Sequence, residues 1–187
     1  MGKILKMGGE KFMKNLLLIS GGLDSMVIYY NYKEEIDKCI YIDYRKNHPA
    51  RNQELEILKK NNINPVIIPI ENLKQNSDGF YFGRNLKMLL AVREMFCDED
   101  ICVFIGNTAN DNFSDNTRNF FYQLENVINQ SYPMTIRIIC PLENRTKKSL
   151  AKEAKEKKIN YYFCDTGGEK PCGTCHSCKA MKEIGYL

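Results

Sequence analysis

The chain has 187 residues and an ordinary apolar share for a globular protein, enough to bury a substantial core in a single domain spanning 1–187. Its 27 Lys and Arg against 23 Asp and Glu leave a net charge of +4, too mild and too dispersed to argue for direct nucleic-acid binding. No apolar run reaches the length of a membrane span or a signal-peptide core. A cytoplasmic protein without membrane attachment is therefore expected, and its eight cysteines should be thiols rather than disulfides.

Residues 1–13 show no clear period and receive no function. The apolar run at 16–19 predicts a first strand, and the residues from Asp24 to about 32 a helix. A second strand is predicted over 39–43, followed by a helix over 50–61 that ends at Asn61-Asn62. A third strand over 65–68 precedes a polar, glycine-containing loop at 75–85. A helix over 86–96 presents Leu86, Leu89, Leu90 and Val92 on or near one face, and a fourth strand covers 101–105. A loop at 106–111, a helix over 120–128, a fifth strand over 135–139 and a helix over 146–158 follow. In the last helix lysines alternate with Glu153 and Glu156, a solvated face. Strands and helices alternating at this spacing predict an α/β fold, a doubly wound five-stranded parallel sheet covered on both faces. Ligands of such sheets sit beyond the carboxyl ends of the strands, here the loops after strands one, two and four.

The first of those loops reads Ser20-Gly21-Gly22-Leu23-Asp24-Ser25. Adjacent glycines permit positive φ and remove side chains that would hold an anion off the backbone. The N–H groups of Gly21, Gly22 and Leu23 can then face one concavity at a helix N-terminus, a phosphate nest, to which Ser20 and Ser25 add hydroxyls. Asp24 repels phosphate unless it caps the helix or faces a Mg²⁺. The loop lacks the lysine and spacing of the G-x-x-x-x-G-K-S/T P-loop. It resembles the SGGxDS signature of the PP-loop ATP pyrophosphatases; an ordinary strand–turn–helix corner is the alternative.

Cysteine usage divides the chain. Cys39, Cys97, Cys102 and Cys140 are scattered among apolar residues and read as buried and structural. Cys164, Cys172, Cys175 and Cys178 form C-x₇-C-x₂-C-x₂-C, in which glycine-rich turns return Cys164 to a short knuckle. Four thiolates suit a closed, tetrahedral, structural Zn²⁺ without a place for water; the same ligands could hold an iron–sulfur cluster. His176, inside the knuckle, is not needed as a ligand.

With both features the chain resembles the 7-cyano-7-deazaguanine synthase (QueC) family. The resemblance also rests on Gly83-Arg84-Asn85, on Gly106 to Asp111 with Ser114, on Arg118 and Phe121, on Pro141-Leu142 and Thr146-Lys147, and on the 167–173 stretch of the knuckle. It runs from about residue 15 to 184 and implies the PP-loop fold, a homodimer, and the use of ATP, Mg²⁺ and Zn²⁺. The implied reaction takes 7-carboxy-7-deazaguanine and free ammonia to the nitrile through an acyl adenylate, releasing AMP and pyrophosphate. Asp24, Ser25 and Arg84 would be catalytic. Ser20, Gly21, Gly22, Leu23, Asp24, Ser25, Asp43 and Lys147 would hold the nucleotide, and Arg84, Asn85, Asn107, Asp111 and Asp115 the deazapurine.

Bland readings stand beside these. Asp43 and Asp111 could cap turns, His48 could brace its loop, Arg84 could form a surface salt bridge and Lys147 could be solvated. Tyr81, Phe82 and Tyr122 read as packing rather than as a stacking platform. The chain departs from the family where D-Y-G-Q-R-H becomes Asp43-Tyr44-Arg45-Lys46-Asn47-His48, and in a shortened stretch at Asp115-Asn116-Thr117. The alternatives are a related enzyme that adenylates another carboxylate or a tRNA base, or a nucleotide sensor without turnover.

Overall fold

A computed structural model describes residues 13–76, 81–109 and 113–187. The apolar runs form five short strands: β1 (Lys14–Leu18), β2 (Lys38–Asp43), β3 (Val66–Pro69), β4 (Ile101–Phe104) and β5 (Ile136–Ile139). All pair in parallel, in the order β3-β2-β1-β4-β5. The order reverses between β1 and β4, so the crevice of this sheet lies beyond their carboxyl ends.

Between the strands run α1 (Leu23–Tyr32), α2 (Pro49–Lys60), α3 (Arg84–Met95), α4 (Arg118–Ser131) and α5 (Lys147–Glu156), with α6 (His176–Glu183) at the C-terminus. Side chains alternate across the pleat, so one strand feeds two cores. Leu16, Leu18, Ile40, Ile42, Val103 and Ile138 meet Leu89, Val92, Phe121 and Leu124 of α3 and α4. Leu17, Ile19, Tyr41 and Phe104 face the other way, onto Met26 and Val27 of α1, Leu58 of α2, Leu150 and Ala154 of α5 and Met181 of α6. Both faces are thus covered, as near-continuous apolar strands require.

Helix starts follow local chemistry. His48 caps α2, its Nδ1 accepting from the Ala50 N–H at 3.2 Å with Pro49 at the first turn, so the loop-bracing reading of this histidine holds. Thr117 and Thr146 cap α4 and α5 through their hydroxyls. Gly83, at φ +61°, turns the chain into α3.

Several sequence expectations need correction. Helices α3 and α4 begin two residues earlier than their apolar stripes, because their first turns are polar. A 3₁₀ turn, Ser114–Asn116, lies in the stretch before α4. Helix α6 was not expected; eight residues offer too few apolar positions for a period to emerge. Cys97 is exposed rather than buried, since it follows the end of α3 where the chain turns outward. Phe82 and Tyr122 are also more than half exposed, so they do not pack in the core.

Candidate active site

A cavity of about 390 Å³ opens where the carboxyl ends of β1, β2 and β4 meet. Its floor is the phosphate loop, with Ser20, Gly22, Leu23, Asp24 and Ser25 all on the wall. Helix α1 begins at Leu23 and directs its first N–H groups and dipole at this space. Gly21 is not on the wall. At φ +74° it turns away, and a Cβ there would stand 2.9 Å from the Glu54 carbonyl oxygen, so α2 accounts for this glycine. The hydroxyls are partly used inside the loop. Ser25 Oγ donates to the Gly22 carbonyl at 3.1 Å and accepts from the Ser20 N–H at 3.2 Å, while Ser20 Oγ accepts from the Gly22 N–H at 3.3 Å. These bonds hold the turn in shape before any ligand arrives.

Asp24 does not cap α1, which has no side-chain cap. Its Oδ2 accepts from Lys147 Nζ at 2.5 Å, and its Oδ1 is buried without a partner. Lys147, at the start of α5, is thereby brought to the phosphate loop while its side chain stays 43% exposed. Gly106 presses close: a Cβ there would lie 3.0 Å from Asp24 Cβ.

On the opposite wall stand Arg84 and Asn85, at the start of α3. Arg84 Nε donates to Asn85 Oδ1 at 3.3 Å, and among the described residues no carboxylate pairs with its guanidinium. Asn85 is buried and anchors the 3₁₀ turn, its Nδ2 donating to the Asp115 carbonyl at 2.6 Å.

The C-terminal segment closes the cavity. Tyr162, Phe163, Cys164 and Asp165 line it, as do His176, Ser177 and Met181 of α6. The Tyr162 N–H donates to the Gly21 carbonyl at 2.9 Å, tying this segment to the phosphate loop. Gly167, at φ +81°, passes so close to α2 that a Cβ would stand 2.3 Å from the Ala50 nitrogen. The Asp165 carboxylate accepts from the Ser177 N–H at 3.2 Å and its hydroxyl at 3.0 Å, stapling the segment to α6.

The sulfurs of Cys164, Cys172, Cys175 and Cys178 lie within 4.8 Å of one another, with Cys172 Sγ and Cys178 Sγ 3.9 Å apart. Sulfurs about 2.3 Å from a central Zn²⁺ would be separated by about 3.8 Å, so the cluster fits a tetrahedral ion. The four sulfurs differ electrostatically: burial raises the Cys175 and Cys178 thiols above the ordinary value, while hydrogen bonds favour thiolate at Cys172. Cys172 Sγ accepts from the Thr174 hydroxyl at 3.5 Å and from the N–H groups of Thr174 and Cys175 at 3.4 and 3.3 Å, which hold its thiol at about 5.

A model of the family described as "Queuosine biosynthesis protein QueC" matches residues 77–186, more than half of the chain. The chain belongs to the QueC family. The 7-cyano-7-deazaguanine synthase of Methanosarcina mazei is 25% identical, with 92% of this chain aligned to 95% of that protein. The synthase of the same name from Methanobrevibacter smithii is 26% identical, with 93% of each chain covered. These relatives are synthases, and this chain is an enzyme. Among solved structures, a "predicted subunit of tRNA methyltransferase" from Methanocaldococcus jannaschii shares the fold. Its TM-score is 0.52 at 20% identity, covering 78% of this chain and 76% of that one.

The cavity of this QueC-family chain gathers most of the residues expected from its sequence, but not all. Asp43 is buried behind the wall, its Oδ2 held by both Nε and Nη2 of Arg51 at 2.8 Å, so it does not face the cavity. Asn107 is buried and likewise off the wall, where Gly106 stands instead. Asp115 contributes its carbonyl to Asn85, while its neighbour Asn116 reaches the cavity. Asp111 lies outside the described residues. Sequence reasoning missed Tyr41 and Glu54 and named Arg45 only as a departure from the family pattern; the three form a cluster on the β2 side, and the wall made by the C-terminal segment was also missed. Arg45 Nη2 pairs with Glu54 Oε1, the Tyr41 hydroxyl donates to Glu54 Oε2 at 2.6 Å, and the guanidinium lies 5.2 Å from the Tyr44 ring centre. Burial, then the Glu54 carboxylate, push the Tyr41 hydroxyl well above the ordinary tyrosine value. Burial works against the Arg45 charge, but Tyr44 and Glu54 carry it above the ordinary arginine value. No helix among the described residues is long and apolar enough to cross a membrane.

Proposed function

We propose that this chain converts 7-carboxy-7-deazaguanine, ammonia and ATP to 7-cyano-7-deazaguanine, AMP and pyrophosphate. The observation that carries the reading is one continuous cavity. It has a helix-terminal phosphate loop and the Asp24–Lys147 pair on one side, and Arg84, an arginine without a carboxylate partner among the described residues, on the other. A nucleotide triphosphate and an anionic acceptor are the two ligands such walls suit.

The chemistry follows from a poor electrophile. A carboxylate oxygen attacks the α-phosphorus of ATP, the bond to the β-phosphate breaks, and pyrophosphate leaves. Ammonia then adds to the acyl carbon and AMP departs, giving the amide and a proton. The amide oxygen attacks the α-phosphorus of a second ATP and expels pyrophosphate; loss of AMP and of both nitrogen-bound protons then leaves the C≡N bond. Both activations build negative charge on pyrophosphate at the loop, where the N–H dipoles of Leu23 and the first turn of α1 would stabilise it. Lys147 stands beside Asp24 and can move to a phosphate. The buried orphan oxygen of Asp24 suits a Mg²⁺, which would neutralise charge on the departing pyrophosphate. Arg84 would orient the acceptor carboxylate, with Asn85 fixing the turn that carries Asn116 towards the heterocycle. In the Cys₄ cluster a Zn²⁺ would act as a cross-link, with every position filled by sulfur.

The test is a mass-spectrometric assay with ATP, Mg²⁺, ammonium and 7-carboxy-7-deazaguanine, following base and nucleotide together. AMP with the nitrile is the expected result. AMP with the amide alone would limit the enzyme to one activation, and ATP binding without AMP would remove the proposal.

A further inference from the structure

We propose that Glu54 is the residue that binds the ribose of the nucleotide, and that Arg45 and Tyr41 position it. The assignment rests on the reading of the cavity as an ATP site. In the doubly wound sheets that bind dinucleotides, the phosphates sit at the end of the first strand and an acidic side chain at the end of its neighbour accepts from the ribose hydroxyls, a placement we carry over to this sheet. The acid at the end of β2 is Asp43, and Arg51 has turned it away from the cavity. The carboxylate that does reach the cavity on this side belongs to Glu54 of α2, whose backbone abuts the phosphate loop at Gly21.

The donor–acceptor arithmetic fits a vicinal diol. An ionised carboxylate has about four acceptor positions. One oxygen of Glu54 takes Arg45 and the other takes Tyr41, which leaves one position on each oxygen. Two neighbouring hydroxyls are the donors that match. Arg45 also solves an electrostatic problem: an unpaired carboxylate beside a triphosphate would repel it, and the ion pair cancels that charge where the side chains are only 12% and 15% exposed. Stacking on Tyr44, which meets Tyr81 edge-on at 5.1 Å, fixes the guanidinium in turn.

The experiment is calorimetric titration of the full-length, metal-loaded chain with Mg²⁺ and ATP, 2′-deoxy-ATP or inosine triphosphate. A hydrogen bond to a charged acceptor predicts that wild type binds ATP about tenfold or more tightly than 2′-deoxy-ATP. In Glu54→Gln that ratio should fall to about two or less, mainly by loss of ATP affinity. Because this substitution would leave Arg45 buried without a carboxylate, the double variant Arg45→Met/Glu54→Gln supplies the same measurement if the single one does not fold. Tyr41→Phe, which removes one of the two positioning bonds, should lower the ratio part-way. A wild-type ratio near one, or an unchanged ratio in the variants, overturns the assignment while leaving the ATP site intact. Loss of discrimination against inosine triphosphate instead would put Glu54 on the base and also overturn it. A wild-type chain that binds none of the three nucleotides defeats the ATP reading itself.

Discussion

Gly167→Ala tests whether the C-terminal segment is held against the rest of the site by a contact only glycine allows. The added Cβ would lie 2.3 Å from the Ala50 nitrogen, 2.3 Å from Pro49 Cβ and 2.4 Å from the Pro49 carbonyl carbon. These are backbone and ring atoms, which cannot rotate away, so segment and helix must part by about 1 Å to reach ordinary contact, an overpacking cost of about 1–3 kcal/mol. The left-handed φ of +81° adds about 1–2 kcal/mol for any residue with a Cβ. The expected loss is therefore about 2–5 kcal/mol, and about 3 kcal/mol would lower Tm by about 6–12 °C in a chain of this size. Gly185→Ala is the control: its φ is +79°, but no heavy atom lies within 4 Å of the built Cβ, so only the backbone cost of about 1–2 kcal/mol applies. Urea unfolding of both variants isolates the steric part. ATP affinity should fall in Gly167→Ala, because Tyr162 to Asp165 form a cavity wall, and stay near wild type in Gly185→Ala. Equal stability loss in the two variants, within about 0.5 kcal/mol, would refute the close-contact account.

Three further outcomes follow from the site and its supports. Asp24→Ala should cut AMP formation by about a hundredfold or more in the coupled assay, with Tm nearly unchanged, because Lys147 is exposed enough to hydrate once unpaired. Cys175→Ser should lower bound zinc, measured by elemental analysis, together with thermal stability, since cluster binding energy is folding energy; full zinc at full stability would break the Cys₄ assignment. Glu153 is opposed by burial but bonded by Lys157 at 2.7 Å and Arg145 at 2.5 Å, and its carboxyl is depressed from 4.5 to about 2. A depressed acid stabilises the fold above its unfolded value and loses that contribution as pH falls through the folded one. Glu153→Gln should thus cost about 1 kcal/mol at pH 7 after allowance for solvent screening, and the gap should close between pH 4.5 and about 2 in denaturant titrations.

The sheet was legible because its strands are short apolar runs, buried on both faces in the central β1 and on one face in the edge strands β3 and β5. Leu16-Leu17-Leu18-Ile19 supplies alternate residues to two cores, so it cannot tolerate a polar position. The phosphate loop and the four clustered cysteines were legible because their chemistry depends on local spacing. Helix α6 was not: Met181 and Cys178 are its only buried residues, and the cysteines that fix its start mask the helical signal. Glu54 was hidden for a different reason. A glutamate on an amphipathic helix reads as solvated, and only the tertiary approach of Tyr41 and Arg45 turns it inward. Asp43 is the reverse case: it stands at the strand end where an acid was expected, and Arg51, eight residues on, holds its side chain.

The C-terminal segment shows why local spacing underdetermines this site. Cysteine spacing identifies a metal cluster but says nothing of where the cluster docks. Docking is specified by single backbone contacts far apart in the chain: the Tyr162 N–H on the Gly21 carbonyl, and Gly167 against Pro49 and Ala50. Each contact is small, yet each depends on the others, because the segment cannot reach Gly21 unless Gly167 clears α2. Closing such a long loop has an entropic cost that a few hydrogen bonds offset poorly, whereas a metal that locks Cys164 to Cys172, Cys175 and Cys178 would reduce what remains to be ordered. With a metal in place, the cavity wall, the phosphate loop and the cysteine cluster would be ordered together. A change at the cluster should be felt at the nucleotide even though no cluster sulfur need touch it.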